Sequence, residues 1–316
     1  MKFCLFEIDD KMHTPKNIDF YEIISEVGAA CDGLRLSFFE NEVFGEISRV
    51  EIYDNDELIF NGFCDVQKVS PYNGKFKYFI YARSSASLLI DNEAYPCQYS
   101  SPSTTSLWFK NAKDFGFSCE IPEVFSKNNY LVSKGTSCYG ALNNFVFSIY
   151  GSNIYVTPKN AIKVFEESKN VKHLSNYNIT SFLYTINRNE PISDVDYKIN
   201  AYDNYVYHFK SKFAEEKGIK RRRLYNLSSI PAWQRENTVS KRINDSILDY
   251  YSAEVVILEK CDLKLYDRIV IDLKDFTLND EFIVYEIVKS KNKNAEKTTV
   301  VLKKKQKGDL INYVAK

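Results

Sequence analysis

The stretch Leu34-Arg35-Leu36-Ser37-Phe38 alternates apolar and polar side chains with a period of two, which is typical of a strand that buries one face. Val50–Ile52 and Phe76–Ile80 repeat this alternation. The first segment of the chain, residues 1–98, is therefore predicted to form a small antiparallel sheet or barrel.

Turn-forming residues separate these strands. Asp54–Asp56 and Asn61-Gly62 are predicted as turns, because Asn, Asp and Gly adopt the backbone conformations that turns require. Pro71–Gly74 fits a hairpin turn between the runs Val66–Val69 and Phe76–Tyr81.

Helical spacing appears between residues 99 and 165. Ser101–Ser103 offers a helix cap, and the apolar positions before Gly116 lie on one helix face: Trp108, Ala112 and Phe115. A second helix, closed by Gly151, is marked by Leu142, Phe145, Val146 and Ile149. With the short strand Ile154–Val156, these helices predict a compact α/β insert.

The remainder of the chain returns to β character. The charged stretch from Lys210 to Arg223 is predicted to be a loop or hairpin tip, and a third helix has an apolar face formed by Val239, Ile243, Ile247 and Tyr250. A strand-dense C-terminal region follows. The predicted fold class is α+β and β-dominated, divided into residues 1–98, 99–165, 166–236 and 237–316.

The composition describes a folded protein without a dominant charge. Lys plus Arg equals Asp plus Glu at 42 each, so no net field attracts nucleic acid or an anionic membrane. Aromatic residues make up 15%, which fits extensive β-structure and packing between subunits. No N-terminal signal peptide and no run of about 20 apolar residues are present, so we expect synthesis in the bacterial cytoplasm and no membrane insertion.

The sequence carries no recognisable catalytic constellation. The three histidines, His13, His173 and His208, lie in neither a GxSxG nor an HExxH context, and no nucleotide-binding glycine motif occurs. The seven cysteines are irregularly spaced, which predicts free thiols and neither a zinc site nor a disulfide framework. We therefore expect no enzyme activity, no catalytic or metal-binding residues and no cofactor.

One basic cluster stands out: Lys220, Arg221, Arg222 and Arg223. Such a cluster can bind a phosphate backbone or line a channel that passes nucleic acid. The alternative is a solvated loop balanced by Glu215 and Glu216, or an ion pair between subunits. The zero net charge favours this alternative, so stable nucleic-acid binding is not expected.

Residues 31–117 resemble phage baseplate hub proteins of the late-control D type from Gram-positive phages and phage-like particles. Cys31–Phe38 is similar to their opening "aspartate, small residue, leucine, x, leucine, x, phenylalanine", and Phe60–Asp65 to their "phenylalanine, x, glycine, x, x, aspartate". The strongest match is Ala82–Ser84 with Leu88–Pro96. Near the C-terminus, Leu263–Val270 keeps the family's aspartate but has Tyr266 where glycine is usual.

The resemblance implies two tube-like β-barrel domains, the α/β insert and a C-terminal β domain. Three subunits would then join a sixfold tail tube to a trimeric spike in the baseplate of a contractile phage tail or a tail-like bacteriocin particle. Expected partners are two further copies of the chain, the tail tube protein or tube initiator, the spike, the tape measure protein and the baseplate wedge. The alternatives are a tail-associated peptidoglycan hydrolase and a nucleic-acid-binding module.

Within the strongest match, Asp91, Asn92 and Glu93 have two interpretations. Side chains of this type commonly satisfy local turns, which is a purely structural role. The functional interpretation is a contact with a neighbouring subunit or with the tail tube.

Overall fold

The computed structural model describes residues 1–200, 202–230, 232–258, 261–292, 295–304 and 311–315, with side chains for all of these except 233, 234, 279 and 311–315. The chain forms two compact units. The first contains Met1–Glu167, Val256–Tyr266 and Tyr285–Val300, and the second contains the rest. Strands predominate in both, which confirms the predicted β-dominated α+β class. The four-segment division stays a prediction.

The first unit begins with a run of strands and continues into the mixed insert. The strands that open it are β1 (Lys2–Glu7), β2 (Met12–His13), β3 (Asn17–Glu26), β4 (Gly33–Glu40), β5 (Ile47–Asp54), β6 (Glu57–Tyr72) and β7 (Lys75–Ser84). The insert contains α1 (Ser87–Asp91), β8 (Cys97–Tyr99), α2 (Thr104–Asn111), β9 (Ser118–Cys119), β10 (Tyr130–Val132), α3 (Cys138–Tyr150), β11 (Ile154–Val156) and β12 (Ala161–Val164).

The second unit has its own helices and strands, and three strands run through both units. Its own elements are β13 (Val171–His173), β14 (Ile179–Ile186), β15 (Asp194–Lys198), β16 (Tyr207–Ser211), α4 (Lys212–Glu216), β17 (Arg222–Asn226), α5 (Ala232–Leu248), β19 (Arg268–Leu273) and β22 (Ile311–Ala315). The shared strands are β18 (Tyr251–Leu258), β20 (Phe276–Lys291) and β21 (Glu296–Lys304).

The main sheet of the first unit is antiparallel, in the order β20-β3-β4-β7-β6-β5-β1-β2. The alternation in β4 has the predicted effect, because Leu34, Leu36 and Phe38 are fully buried. They belong to one core with residues from β1, β3 and β7, and the rings of Phe3 and Tyr21 approach to 5.4 Å. The sheet is therefore curled, so that β1 and β3 contribute to the same core.

Two of the predicted turns are confirmed. Asp54 pairs with Glu57 across a two-residue loop, and Tyr72 pairs with Lys75 across Asn73-Gly74. Asn73 and Gly74 have φ of 46° and 75°, and the residues of the other loop are also left-handed. This conformation matches the right-handed twist of the flanking strands.

The prediction of a turn at Asn61-Gly62 is wrong. Both residues lie inside β6, where Gly62 pairs with Val50 on one side and Ser84 on the other. A Cβ atom at Gly62 would lie 2.1 Å from the carbonyl oxygen of Arg83. Glycine is present here because two backbones approach closely, and a sequence pattern does not distinguish this from a turn.

Replacing Gly62 with alanine is therefore expected to destabilise the protein severely. The new methyl group overlaps backbone atoms that cannot move aside, and overpacking of this kind costs about 3 kcal/mol of unfolding free energy. Gly33→Ala is the matched control, because a Cβ in β4 meets nothing within 4 Å. Urea denaturation of both variants measures the difference; equal stability would refute the close approach.

The insert contains both predicted helices, but the first is shorter than predicted: α2 ends at Asn111, and Phe115 lies in a separate 3-10 turn that Gly116 closes. Ser103 caps α2 in a reciprocal capping box with Ser106, and Ser137 caps α3 by accepting from the N–H of Gly140. Gly151 ends α3 with φ of 66°. The prediction is wrong at Ile149, which is exposed, whereas Leu142, Phe145 and Val146 are buried as predicted.

In the second unit, α5 confirms the third predicted helix. Val239, Ile243 and Ile247 are buried in a core with residues of β15 and β16, and Tyr250 joins it just beyond the helix. The sheet beside this core has the order β17-β15-β16-β22, in which β15 and β17 are parallel. Arg222 and Arg223 of the basic cluster therefore lie in a strand of this sheet.

The prediction that Lys210–Arg223 forms a loop is wrong for most of its length. Lys210 lies in β16, and Ser211 caps the short helix α4. Arg222, the first residue of β17, pairs with Asp194. High charge density misled the prediction, because an exposed edge strand tolerates charged side chains as well as a loop does.

Tyr266, at the position where glycine is usual in the similar family motif, has a left-handed backbone conformation. Its φ is 68°, which costs a non-glycine residue about 1–2 kcal/mol. Its ring stacks on Phe165 at 4.8 Å, and Phe165 stacks on Tyr155 at 4.4 Å. Stacking of this kind contributes about 0.5–1.5 kcal/mol per pair, which offsets the strain.

This balance predicts an unusual order of stabilities at position 266. Tyr266→Ala removes the stack and keeps the strain, whereas Tyr266→Gly removes both, so the glycine variant should be the more stable by about 1 kcal/mol. At an ordinary extended position alanine is the better tolerated of the two. Thermal unfolding of both variants tests the order, and a more stable alanine variant would contradict the left-handed assignment.

Candidate functional site

Three residues from separate matched motifs meet at one ionic cluster. Arg83 donates to Asp65 through Nε (2.6 Å) and Nη2 (3.0 Å), and to Asp91 through Nη1 (2.9 Å) and Nη2 (2.7 Å). The guanidinium thus binds two carboxylates with paired hydrogen bonds, which is the strongest geometry available to arginine. The hydrogen bonds with Arg83 hold the pKa of Asp91 below its usual value.

The backbone explains why these side chains converge. The register of β6 against β7 shifts between Cys64 and Val66, so Asp65 is the extra residue of a β-bulge. A bulge redirects a side chain out of the regular alternation. Asp91 is the last residue of α1, which follows directly after the strand that carries Arg83.

In the Asp91–Glu93 run, the side chains of Asp91 and Asn92 form hydrogen bonds within the chain, whereas the side chain of Glu93 is exposed. Asp91 is bound to Arg83, and the Asn92 amide donates to the carbonyl of Leu88 at 2.8 Å. Glu93 forms a β-bridge with Ser137 through its backbone, and its side chain is exposed. The structural interpretation therefore describes the first two residues, and Glu93 remains available for a contact.

Asp32, which opens the first matched motif, ties the β3–β4 connection to the end of β7. Its N–H donates to Ser84 Oγ at 3.0 Å, and its carbonyl accepts from the Ser84 N–H at 2.9 Å. Burial raises the pKa of the Asp32 carboxyl to about 6, while a hydrogen bond with Ser25 acts in the opposite direction. No sequence signal distinguishes this carboxyl from an exposed one.

Asp32→Asn is expected to stabilise the protein at neutral pH. An acid whose pKa rises from 3.8 to about 6 on folding destabilises the folded state above pH 6, and this effect disappears as the pH falls below 3.8. The variant should gain up to about 3 kcal/mol at pH 7 and lose the advantage by pH 4.

Asp91→Asn is the control, for which a change in stability of the opposite sign is expected. Its carboxyl has a lowered pKa, so the substitution should destabilise by a nearly constant amount between pH 4 and 7, where the carboxylate is ionised in both states, and lose its effect only below pH 3.8. Denaturation curves of both variants between pH 4 and 7 measure the effects. A pH-independent difference at position 32 would contradict a buried carboxyl.

The basic cluster is partly bound within the second unit. Arg221 donates to the carbonyls of Asn189 and Glu190, and Arg222 Nε lies 3.8 Å from Asp196 Oδ2. Lys220, Arg222 and Arg223 are exposed. One of the four cations is therefore a structural clamp, and three remain at the surface.

Each histidine is paired with a carboxylate. His13 contacts Glu7 at 2.5 Å, and His208 is buried beside Asp196. His173 lies 2.9 Å from Asp272, and Ser175 donates to the same carboxylate at 2.8 Å. A catalytic triad requires the hydroxyl to bind the imidazole, whereas here the serine and the histidine both bind the aspartate.

Among the described residues, no group of three or more His, Cys, Asp and Glu side chains is placed to hold a metal ion. All seven cysteines are free thiols. In the part of the chain that the structure covers, no helix has the length and apolar character needed to cross a membrane.

Comparison with solved structures gives the fold. The 43 kDa tail protein of prophage MuSo2 from Shewanella oneidensis matches with a TM-score of 0.78 over 96% of this chain and 98% of that one, at 12% identity. The chain has the fold of phage tail proteins. A tail protein from Neisseria meningitidis agrees, with a TM-score of 0.74 over 96% and 97% of the two chains at 14% identity. No family model and no curated protein matches the sequence.

This tail-protein fold also occurs in secretion machinery. An E. coli component of the type VI secretion system, described as structurally similar to T4 tail proteins gp27 and gp5, matches with a TM-score of 0.60 at 7% identity and covers 94% of this chain and 78% of that one. The resemblance found in the sequence is thus confirmed at the level of the fold. At these identities the likeness does not transfer roles from residue to residue.

Proposed function

We propose that this chain is a structural baseplate hub subunit, three copies of which join a sixfold tail tube to a trimeric spike. The observation that carries the proposal is the tail-protein fold, matched over nearly the full length of both chains. The likeness of one structural neighbour to the T4 tail proteins gp27 and gp5 supports a place in the tail. The particle is a contractile phage tail or a related bacteriocin, assembled after synthesis in the bacterial cytoplasm.

The edge of the second unit's sheet supports association between subunits. β17 ends the order β17-β15-β16-β22, and its outer side pairs with no strand among the described residues. Leu224, in the middle of β17, is 55% exposed. The outer side of an edge strand presents backbone groups that can pair with another chain, so we assign this edge to a subunit contact.

The exposed part of the basic cluster fits the same edge. Arg222 and Arg223 belong to β17, and Lys220 lies just before it. Within an assembled hub these cations would face a neighbouring subunit or the lumen through which the tape measure protein and any nucleic acid pass. The enzymatic alternative gains no support from Ser175, His173 and Asp272, because their hydrogen bonds have the wrong order for a triad.

A charge placed on this edge is expected to weaken the trimer. Leu224→Asp buries an unpaired carboxylate at the contact, whereas Val43→Asp, at a residue 60% exposed in a loop of the first unit, is the matched control. Light scattering after size exclusion should show trimers for the wild type and the control, and predominantly monomers for Leu224→Asp at micromolar concentration.

Other outcomes would replace the proposal. A wild-type chain that stays monomeric with and without its spike protein would overturn it. Clearing of bacterial cell walls by the purified chain would establish the hydrolase instead. Tight, salt-sensitive DNA binding that is lost on changing Arg222 and Arg223 would establish the nucleic-acid-binding module.

A further inference from the structure

An open depression of about 520 Å³ lies on the first unit's sheet. It is lined mainly by the outward-facing side chains of neighbouring strands, including Asp19, Phe20, Ser37, Lys68, Lys77 and Phe79. The pairing registers place Ser37 between Phe20 of β3 and Phe79 of β7, and Phe79 beside Lys68 of β6. The two aromatic rings therefore flank a central serine.

Ser37 is an unusual member of this row. It points away from the core that contains Leu36 and Phe38, yet it is only 6% exposed. Its buried hydroxyl has no hydrogen-bond partner within the described chain. Because this oxygen is covered by its neighbours, the floor of the depression beside it offers mainly the rings of Phe20 and Phe79 to a partner.

The charges at the rim specify the partner further. Lys77 is paired with Asp19 at 3.1 Å. Lys68 is exposed, and its ammonium lies 5.8 Å from the centre of the Phe79 ring. The depression therefore suits an aromatic group accompanied by a carboxylate that can reach Lys68.

The chain itself exposes such a pair. Tyr95 is 78% exposed, and Glu93, also exposed, lies two residues before it. Ala94, between them, is buried, so the two exposed side chains point away from the side that Ala94 faces. Tyr95 provides the aromatic ring, and Glu93 provides the carboxylate.

We infer that this depression receives the Glu93–Tyr95 segment of a second copy of the chain. The donor segment follows Asp91, which is held by Arg83 at the end of β7, whereas Phe79 lies four residues earlier, about 13 Å away at the rise of a strand. One copy thus presents two different surfaces, one beside the end of β7 and one near its middle. A contact between two different surfaces is heterologous and can close into a ring.

The inference rests on the proposed trimer and identifies one of its contacts. Sedimentation equilibrium should show that Tyr95→Ala weakens association at least tenfold, and that Lys68→Glu and Glu93→Lys each weaken it about fivefold. The double variant carrying both charge reversals should recover most of the affinity. Tyr202→Ala, at a fully exposed tyrosine of the second unit, is the control.

A second measurement keeps the inference testable if a variant misfolds. A photo-crosslinking phenylalanine analogue at position 95 should attach to the peptide containing Lys68 or Phe79 of another copy, which isotopic labelling of one population identifies. Wild-type trimers with unchanged association in all three single variants, or crosslinks only elsewhere, would overturn this contact and leave the hub. A wild-type chain that never associates would overturn the hub and this contact together.

Discussion

The ionic cluster around Arg83 is the contact on which the organisation of the first unit depends. One guanidinium binds Asp65 from the bulge of β6 and Asp91 from the end of α1. The backbone carbonyl of Arg83 approaches β6 so closely that only a glycine, Gly62, fits opposite it. The end of β7 thereby fixes both its neighbouring strand and the beginning of the insert.

This arrangement gives a physical meaning to the matched motifs. Asp65, Arg83 and Asp91 lie far enough apart in sequence to look like independent signatures, yet they form one cluster. Asp32 adds backbone hydrogen bonds to Ser84, next to Arg83. The motifs that resemble hub proteins therefore describe one structural junction, and Glu93 and Tyr95 lie exposed beside it.

Sequence patterns predicted regular elements better than close approaches. The alternation of Leu34, Leu36 and Phe38 predicted the buried face of β4 correctly, since period and burial have the same cause. Gly62 was misjudged, because glycine serves both turns and tight backbone contacts. The pairing of Arg83 with two carboxylates depends on a bulge and on register, which a single sequence does not encode locally. Ser37 was equally invisible as an unsatisfied group.

If the chain acts as the proposed hub subunit, its function lies in its surfaces. The central claim is that these surfaces build a threefold ring. Electron microscopy of the purified chain mixed with its spike protein tests this most directly. The account predicts class averages with threefold symmetry and six related lobes around a central opening; isolated monomers or twofold dimers would contradict it.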